Sequence, residues 1–392
     1  MPRSSCRTHY STTGVSAQGQ GFFVAYRICV VTPRFTISGV PLAQLRFARA
    51  LAEAGNTVDL VVGYVPEGYT MPEVPGVHIT VLDKPKVRNM VWALADYLRR
   101  VKPDVVFAAE DHLVALVLFA AIVSGSRAKI SGSSRVTPFD TYSTKPLTKR
   151  WLLKQFMRAV AWRADALTCV SEDMVLQYRQ VFKNPRHVAV YNIVDDPASR
   201  ARIAEPVDDP WFVDQDGSRD RPVAVAAGML APWKGFEELI DAFALLRDRG
   251  RDVRLVILGE GPDRAKLEAQ VARLGLTDRI RLPGHTLNPL KFFARADVFV
   301  LSSRVEGMPN VLVEAMMCGC TVVATDCPTG PRELLQEGRY GYLVRPRDPA
   351  AIADGVEAAL DLPIASDLTA EAIRPFHQDA VIDRHFTILG LR

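Results

Sequence analysis

The chain has 392 residues, 48% of them hydrophobic and 23% charged, which is the composition of an ordinary soluble globular protein. At roughly 100 to 200 residues per domain, this length predicts two domains. The composition excludes collagen-like, low-complexity and mostly disordered chains, and the net charge of +4 is too small to indicate nucleic acid as a partner. Any electrostatic function must therefore depend on a local patch.

The segment that precedes Arg27 is polar and rich in Ser, Thr and Gly, and its one apolar run, residues 22–26, is too short for a secretory signal. We predict that residues 1–26 are disordered or a wrongly assigned start. The longest apolar run, residues 113–123, falls short of the roughly 20 residues of a membrane span and predicts a buried helix. Six unevenly spaced cysteines indicate a reducing compartment rather than a disulfide framework.

From Arg27 onward, short β-branched runs alternate with segments of helical period, a pattern typical of βαβ units on a parallel sheet. The strands predicted for the first half are 28–31, 57–62, 77–82, 104–108, 128–131, 166–170 and 187–191. Residues 195–221 lack a sustained period and predict an interdomain linker. The second series has strands at 223–227, 253–258, 298–301 and 321–324, and helices at 236–249, 263–274, 309–318 and 349–360.

These patterns predict an α/β fold of two Rossmann-like, doubly wound parallel-sheet domains. We place the domains at residues 27–200 and 201–374, and predict that residues 375–392 form a helix that returns to the first domain. Ligands of such sheets bind beyond the carboxyl ends of the strands. Two facing sheets therefore predict a binding cleft between the domains.

The sharpest motif is RVEGMPNVLVEAMMCG, residues 304–319, which follows a predicted strand. Pro309 suits the first position of a helix, Glu306 lies just before that helix and Glu314 lies within it. A helix N-terminus favours anionic or hydroxyl-rich ligands, and a glutamate there is a natural acceptor for sugar hydroxyls. The amides predicted to be free around this N-terminus belong to Gly307, Met308, Asn310 and Val311. Without context, the two glutamates are more often ordinary surface residues.

The second motif, residues 226–246, has a strand that ends at Gly228, a short loop with Lys234, and an amphipathic helix. Lys234 is thus predicted near a helix N-terminus and at the carboxyl end of a strand. An ammonium and free amides can jointly neutralise a diphosphate there. For this motif alone, a solvated surface lysine is about as well supported as a phosphate-binding one.

Together with LVILGEGPDRAKLEAQVARLGL (255–276), ADVFVLSSRVEG (296–307) and TDCPTGPRELL (325–335), these motifs resemble glycosyltransferase family 4, whose members are retaining enzymes of GT-B fold. The resemblance is strongest over residues 222–348. It is looser in the first half, where it depends on SGVPLAQLRFARALAEAG (38–55), the ISGSSRVTP loop (130–138) and VYNIVD (190–195). The segment TDCPTGPRE is most similar to the corresponding segment of bacterial enzymes that add hexoses or N-acetylhexosamines to surface-polysaccharide or lipid-linked precursors.

The resemblance implies roles for individual residues. Glu314 would hold the nucleotide ribose, Glu306 would contact the donor sugar, and Lys234 would neutralise the leaving diphosphate. Gly39 would let the first loop approach that diphosphate. The remaining donor-binding positions would be Gly228, Gly307, Met308, Asn310 and Val311. The family implies neither a cofactor nor a metal.

The sequence departs from the family at three positions. Met229 replaces the usual Arg beside the strand-ending Gly, and Val40 replaces the second residue of a Gly-Gly pair. Arg135 occupies the position of an active-site His in many members, where it either replaces lost charge or binds an anionic acceptor. His112 is a candidate for the acceptor side of the cleft, with a plain helix-start residue as the alternative.

Residues 145–163, from Lys145 to Arg163, carry six cations and no acidic residue, interleaved with aromatic and aliphatic side chains. This segment suits an anionic membrane surface, and a core-facing helix with a solvated basic face has equal weight.

The sequence thus predicts a cytoplasmic glycosyltransferase, peripheral on the inner face of the membrane if that segment binds lipid. Its partners would be a nucleotide-sugar donor, expected to be UDP-linked, and a lipid-linked or glycan acceptor. The alternative function is a non-catalytic GT-B partner subunit that binds nucleotide or glycan.

Overall fold

The computed structural model describes residues 25–36, 39–182, 186–212 and 220–392. Residues 1–24 of the predicted disordered start lie outside the described residues. Thirteen strands in the described ranges form two separate, wholly parallel sheets. The predicted α/β class with two Rossmann-like domains is confirmed.

The first sheet has seven strands in the order β3-β2-β1-β4-β5-β6-β7. Its central strand β1 pairs in parallel with β2 and β4, with Ile28 opposite both Val58 and Val105. Residues 28–32 of β1 are buried, as expected for a parallel strand with helices on both faces. The strands are β1 Arg27–Thr32, β2 Thr57–Val62, β3 Val77–Val81, β4 Val105–Ala109, β5 Lys129–Ser134, β6 Ala166–Cys169 and β7 His187–Ala189. The helices are α1 Gly39–Glu53, α2 Val91–Val101, α3 Asp111–Ser124, α4 Pro138–Thr141, α5 Lys149–Val160 and α6 Glu172–Phe182.

The segment predicted as an interdomain linker contains a short helix, α7 (Pro197–Ile203). The side chain of Asp196 accepts a hydrogen bond from the backbone N–H of Ser199 (2.6 Å), and Pro197 occupies the first turn. Seven residues are too few to show a hydrophobic period, so a cap and a proline define this helix. The predicted linker therefore includes a helix that the lack of a hydrophobic period did not indicate.

The second sheet has six strands in the order β10-β9-β8-β11-β12-β13. The sequence pattern does not indicate the two edge strands, because β10 contains Pro283 and Gly284 and β13 has three residues. The strands are β8 Val223–Ala227, β9 Arg254–Leu258, β10 Ile280–Gly284, β11 Val298–Leu301, β12 Thr321–Thr325 and β13 Tyr342–Val344. The helices are α8 Phe236–Asp248, α9 Arg264–Arg273, α10 Leu290–Phe293, α11 Asn310–Met317, α12 Pro331–Leu334, α13 Pro349–Asp361, α14 Ser366–Ile373 and α15 Gln378–Ile388.

The chain crosses between the domains twice, and the two crossings run side by side. The N–H groups of Val194 and Asp195 both donate to the carbonyl of Phe376 (3.1 and 3.2 Å). Beyond this point α15 packs its apolar face against the first sheet, with Val381 and Phe386 in the same hydrophobic cluster as Ile28. A second cluster is continuous from α6 of the first domain to α11 of the second. No helix within the described ranges is both long enough and apolar enough to span a bilayer.

Candidate active site

The carboxyl ends of the central strands of both sheets point into the cleft between the domains. In the second sheet, β8 ends at Gly228 and β11 leads into the loop that carries Glu306. These neighbouring strands are where the strand order reverses, which is the usual ligand position in an open parallel sheet. In the first sheet, β5 leads directly to Arg135.

Lys234 and Glu306 form an ion pair at this edge of the second sheet. The ammonium Nζ of Lys234 lies 2.5 Å from Oε1 of Glu306, and the hydroxyl of Ser303 donates to the same oxygen (2.6 Å). Their side chains are only 18% and 11% exposed. A cation and a carboxylate that were predicted separately are therefore paired directly.

The backbone around Lys234 is locked to the loop after β11. Gly235 has a φ of +67°, and a Cβ added there would lie 2.0 Å from the carbonyl oxygen of Ser302, so glycine is required. The hydroxyl of Ser302 donates to the carbonyl of Lys234 (2.8 Å). The backbone N–H of Arg304 donates to the carbonyl of Trp233 (2.8 Å). These contacts hold the ammonium against Glu306.

Arg135 lies at the cleft on the first domain. Its guanidinium Nη1 donates to Oδ1 of Asn192, and its buried Nε has no hydrogen-bond partner within the described part of the chain. Burial lowers the pKa of Arg135 to about 10, and the nearby charge of Glu110 opposes that shift. The side chain therefore remains a cation at neutral pH.

Two contacts bring Arg135 to the loop of Glu306. A Cβ on Gly307 would lie 3.2 Å from the carbonyl oxygen of Arg135, so the two backbones nearly touch across the cleft. The side-chain amide of Asn192 donates to Oδ1 of Asn310, the first residue of α11 (3.0 Å). The described geometry thus joins the predicted residues of the two domains.

The loop that carries Arg135 is held on both sides by one buried carboxylate, Asp111. Asp111 accepts hydrogen bonds from the hydroxyls of Ser134 (3.0 Å), Tyr142 (2.7 Å) and Tyr178 (2.9 Å). Ser134 immediately precedes Arg135, and Tyr178 also donates to the carbonyl of residue 136, which immediately follows it (3.0 Å). Burial raises the pKa of Asp111, and the hydroxyl donors oppose that shift.

Glu314 is half-buried on α11, about one and a half turns inside the helix. Burial raises the pKa of its carboxyl, while the positive charges of Arg46 and Arg202 lower it and Asp196 raises it further. Arg46 belongs to α1 of the first domain and Arg202 to α7. Glu314 therefore faces the domain junction.

The N-terminus of α11 differs from expectation in one respect. The backbone N–H of Asn310 donates to the carbonyl of Met308 (3.0 Å), so the prediction of a free amide at Asn310 is wrong. Pro309 precedes the helix instead of opening it, and the tight turn that results occupies this amide. Met308 is buried and Val311 is half-buried against the core that spans the domains.

The remaining predicted residues are Gly39, Gly228 and His112. Gly39 opens α1 with a φ of +28°, and Gly228 ends β8, where an added Cβ would lie 3.4 Å from Cε of Lys234. His112 is half-buried in the first turn of α3, with Nε2 3.3 Å from Oε2 of Glu110.

Sequence reasoning missed Glu110, Asn192 and Ser303 as members of the site. Glu110 has a φ of +75°, a strained value for a residue with a side chain, and such strain is common at functional positions. Its sequence signal is slight, because a glutamate after a strand is ordinary. Asn192 belongs to VYNIVD, a segment that indicated the family without indicating a contact.

Two family descriptions match the chain, one in each domain. "Glycosyl transferases group 1" matches residues 221–361, and "Glycosyl transferase 4-like domain" matches residues 38–192. The structure is also similar to that of Anabaena HepE in complex with UDP and glucose, with a TM-score of 0.71 and 19% identity over 94% of this chain and 100% of HepE. The two family matches and the fold thus define a GT-B glycosyltransferase.

Two glycosyltransferases of known name are similar to parts of this chain. The α-D-kanosaminyltransferase of Streptomyces kanamyceticus is 32% identical over 238 residues, 59% of each chain. The N-acetylgalactosamine-N,N'-diacetylbacillosaminyl-diphospho-undecaprenol 4-alpha-N-acetylgalactosaminyltransferase of Campylobacter jejuni is 36% identical over 137 residues, 35% of this chain and 37% of the relative. The aligned stretches cover less than two thirds of either relative. The chain belongs to glycosyltransferase family 4.

Proposed function

We propose that this protein transfers a hexose or an N-acetylhexosamine from a UDP-linked sugar to a lipid-linked or polysaccharide-precursor acceptor, with retention of configuration. The observation that carries the proposal is the Lys234–Glu306 pair, whose loop approaches the backbone of Arg135 at Gly307. The name of the Campylobacter relative specifies an undecaprenol diphosphate-linked acceptor, which supports the acceptor class.

The chemistry matches the charges in the cleft. Breakage of the bond between the sugar C1 and the diphosphate oxygen develops positive charge on the ring and negative charge on the phosphate. Lys234 neutralises the phosphate, and its contact with Glu306 holds it in place in advance. The acceptor hydroxyl forms the new bond to C1 on the same face and passes its proton to the leaving phosphate. The proposal assigns no protein nucleophile and needs no resident metal or cofactor, since protein cations meet the charge.

The donor and the acceptor occupy opposite sides of this centre in the proposal. Glu314 accepts the ribose hydroxyls, and the loops at Gly39 and Gly307 approach the diphosphate and sugar. On the first domain, Arg135 and His112 face the acceptor, with Glu110 paired to His112 (3.3 Å).

We also propose that α5 and the loop before it contact an anionic membrane. Part of the basic segment has another role: Arg150 donates to the carbonyl of Tyr142 (3.1 Å), and Arg163 donates to that of Ala128 (2.7 Å). The membrane contact therefore uses the exposed cations together with exposed Leu147 (84%) and Leu152 (52%). Flotation with phosphatidylglycerol vesicles tests this contact, and a Leu147→Ser, Leu152→Ser variant should float less than wild type.

Nucleotide release from a panel of UDP- and GDP-sugars, with the native lipid fraction as acceptor, tests the transfer. We expect UDP release that depends on the acceptor, and an α-linked product from an α-linked donor by NMR. UDP binding without release from any donor would instead favour the non-catalytic partner subunit, for which the exposed Met229 in place of arginine is the motivating observation.

A further inference from the structure

Glu333, in the second domain, accepts three hydrogen bonds from the first domain. It belongs to α12, in the segment TDCPTGPRELL, and the transfer proposed above assigns it no role. Its Oε1 accepts a hydrogen bond from the backbone N–H of Glu172 (3.0 Å), and its Oε2 accepts one from that of Asp173 (3.2 Å). The hydroxyl of Tyr191 also donates to Oε1 (2.7 Å).

The two amides are the first of α6, an eleven-residue helix of the first domain. The first N–H groups of a helix have no partner within it, and its N-terminus favours a negative charge. Glu333 therefore caps a helix of the other domain. The carboxylate of Asp173 lies nearby and repels that of Glu333, so the amides and Tyr191 must supply the compensating interactions.

Glu333 is also connected to the loop that carries Glu306. The hydroxyl of Thr329 donates to the carbonyl of Glu306, and the N–H of Glu306 lies 3.5 Å from the carbonyl of Pro328. A Cβ on Gly330 would lie 2.6 Å from Cδ of Pro309, so the segment before α12 packs closely on the approach to α11. A shift of Glu333 relative to α6 would consequently shift Glu306.

We infer that Glu333 is a positioning residue that holds the two domains closed, with Glu306 opposite Arg135. The closure of the two domains is inferred from the contacts alone. The effect of Glu333 on catalysis also depends on the proposed function. A carboxylate suits this task because it accepts from two amides at once while the charge interacts with the helix N-terminus.

Glu333→Gln and Glu333→Ala test this role in the full-length protein. A hydrogen bond to a charged group is typically worth about tenfold or more in an equilibrium. We expect the alanine variant to exchange the amide hydrogens of the peptide around Glu172 at least ~10-fold faster, and to have a larger radius of gyration in small-angle scattering. Glutamine keeps an acceptor oxygen and should rescue both values in part.

The values of kcat and KM distinguish a positioning role from a general loss of structure. For Glu333→Ala we expect kcat to fall about tenfold while KM for the donor changes less than about twofold, since the proposed donor residues lie mainly on the second domain. Tyr191→Phe removes one donor and should show a smaller change of the same kind. Glu337→Gln is the matched control, because Glu337 is 71% exposed and pairs with Arg332 of its own domain.

The inference would be overturned if Glu333→Ala had the amide exchange rates and the radius of gyration of wild type. It would also be overturned if Glu337→Gln changed these values as much as Glu333→Ala does. Faster exchange with an unchanged kcat would overturn the positioning role. Exchange and scattering are measured without donor or acceptor, so they decide closure independently. A wild-type chain that is inactive on every donor would count against the proposed function and its kinetic consequence, but not against closure.

Discussion

Replacement of Lys234 by methionine removes the ammonium at the cleft and keeps most of the side-chain stem. In the structure this ammonium lies 2.5 Å from Glu306, and the stem passes beside Gly228. Loss of one preorganised electrostatic contact typically lowers kcat by about 10²- to 10³-fold. We therefore expect Lys234→Met to lower kcat by that factor in the nucleotide-release assay.

The loss of stability in this variant should be much smaller than the loss of activity. Glu306 would keep the hydrogen bond from Ser303 but lose its cation, and a half-buried pair of this kind contributes about 1–3 kcal/mol. Chemical denaturation measures this contribution to the free energy of unfolding separately from activity. Lys266→Met is the matched control, because Lys266 lies in the same domain, is 60% exposed and pairs with Glu237. Turnover of Lys234→Met within about threefold of wild type would refute the assignment.

Three further predictions concern single side chains. Glu314→Ala should weaken UDP binding about tenfold in titration calorimetry, because a carboxylate that accepts ribose hydroxyls is lost; an unchanged affinity would contradict this role. Asp111→Ala should lower the free energy of unfolding by about 3 kcal/mol in urea denaturation, because three hydroxyls lose their acceptor, whereas Asp111→Asn should lose less. Burial lowers the pKa of His385 to about 3, so the unfolded chain takes up a proton near pH 6.5 that the folded chain takes up only near pH 3. Stability should consequently fall by up to about 1.4 kcal/mol per pH unit between about pH 6 and 4, and His385→Leu should flatten that slope whereas His285→Gln at an exposed site should not.

The strands in the middle of each sheet could be predicted because burial on both faces leaves an unbroken apolar run. Strand β8 has the predicted bounds and β11 does as well. Edge strands such as β13 have three residues and half-buried side chains, so they leave no such run. The helix α7 depends on the cap at Asp196, a local contact that periodicity does not detect.

For the site, the sequence by itself determined which residue types follow the central strands: Lys234 after β8, Glu306 after β11 and Arg135 after β5. Parallel strands place their carboxyl ends at one edge, which is why residues 72 positions apart could be predicted to lie at the same edge. Only the tertiary structure decided that Lys234 and Glu306 share a hydrogen bond.

The tertiary structure also decided what joins the domains. The approach of Gly307 to Arg135, the pairing of Asn192 with Asn310 and the cap that Glu333 provides to α6 all cross the cleft. Such contacts depend on the relative position of two separately folded sheets. No local period, cap or turn in the sequence encodes that position, because it follows from how the two surfaces pack.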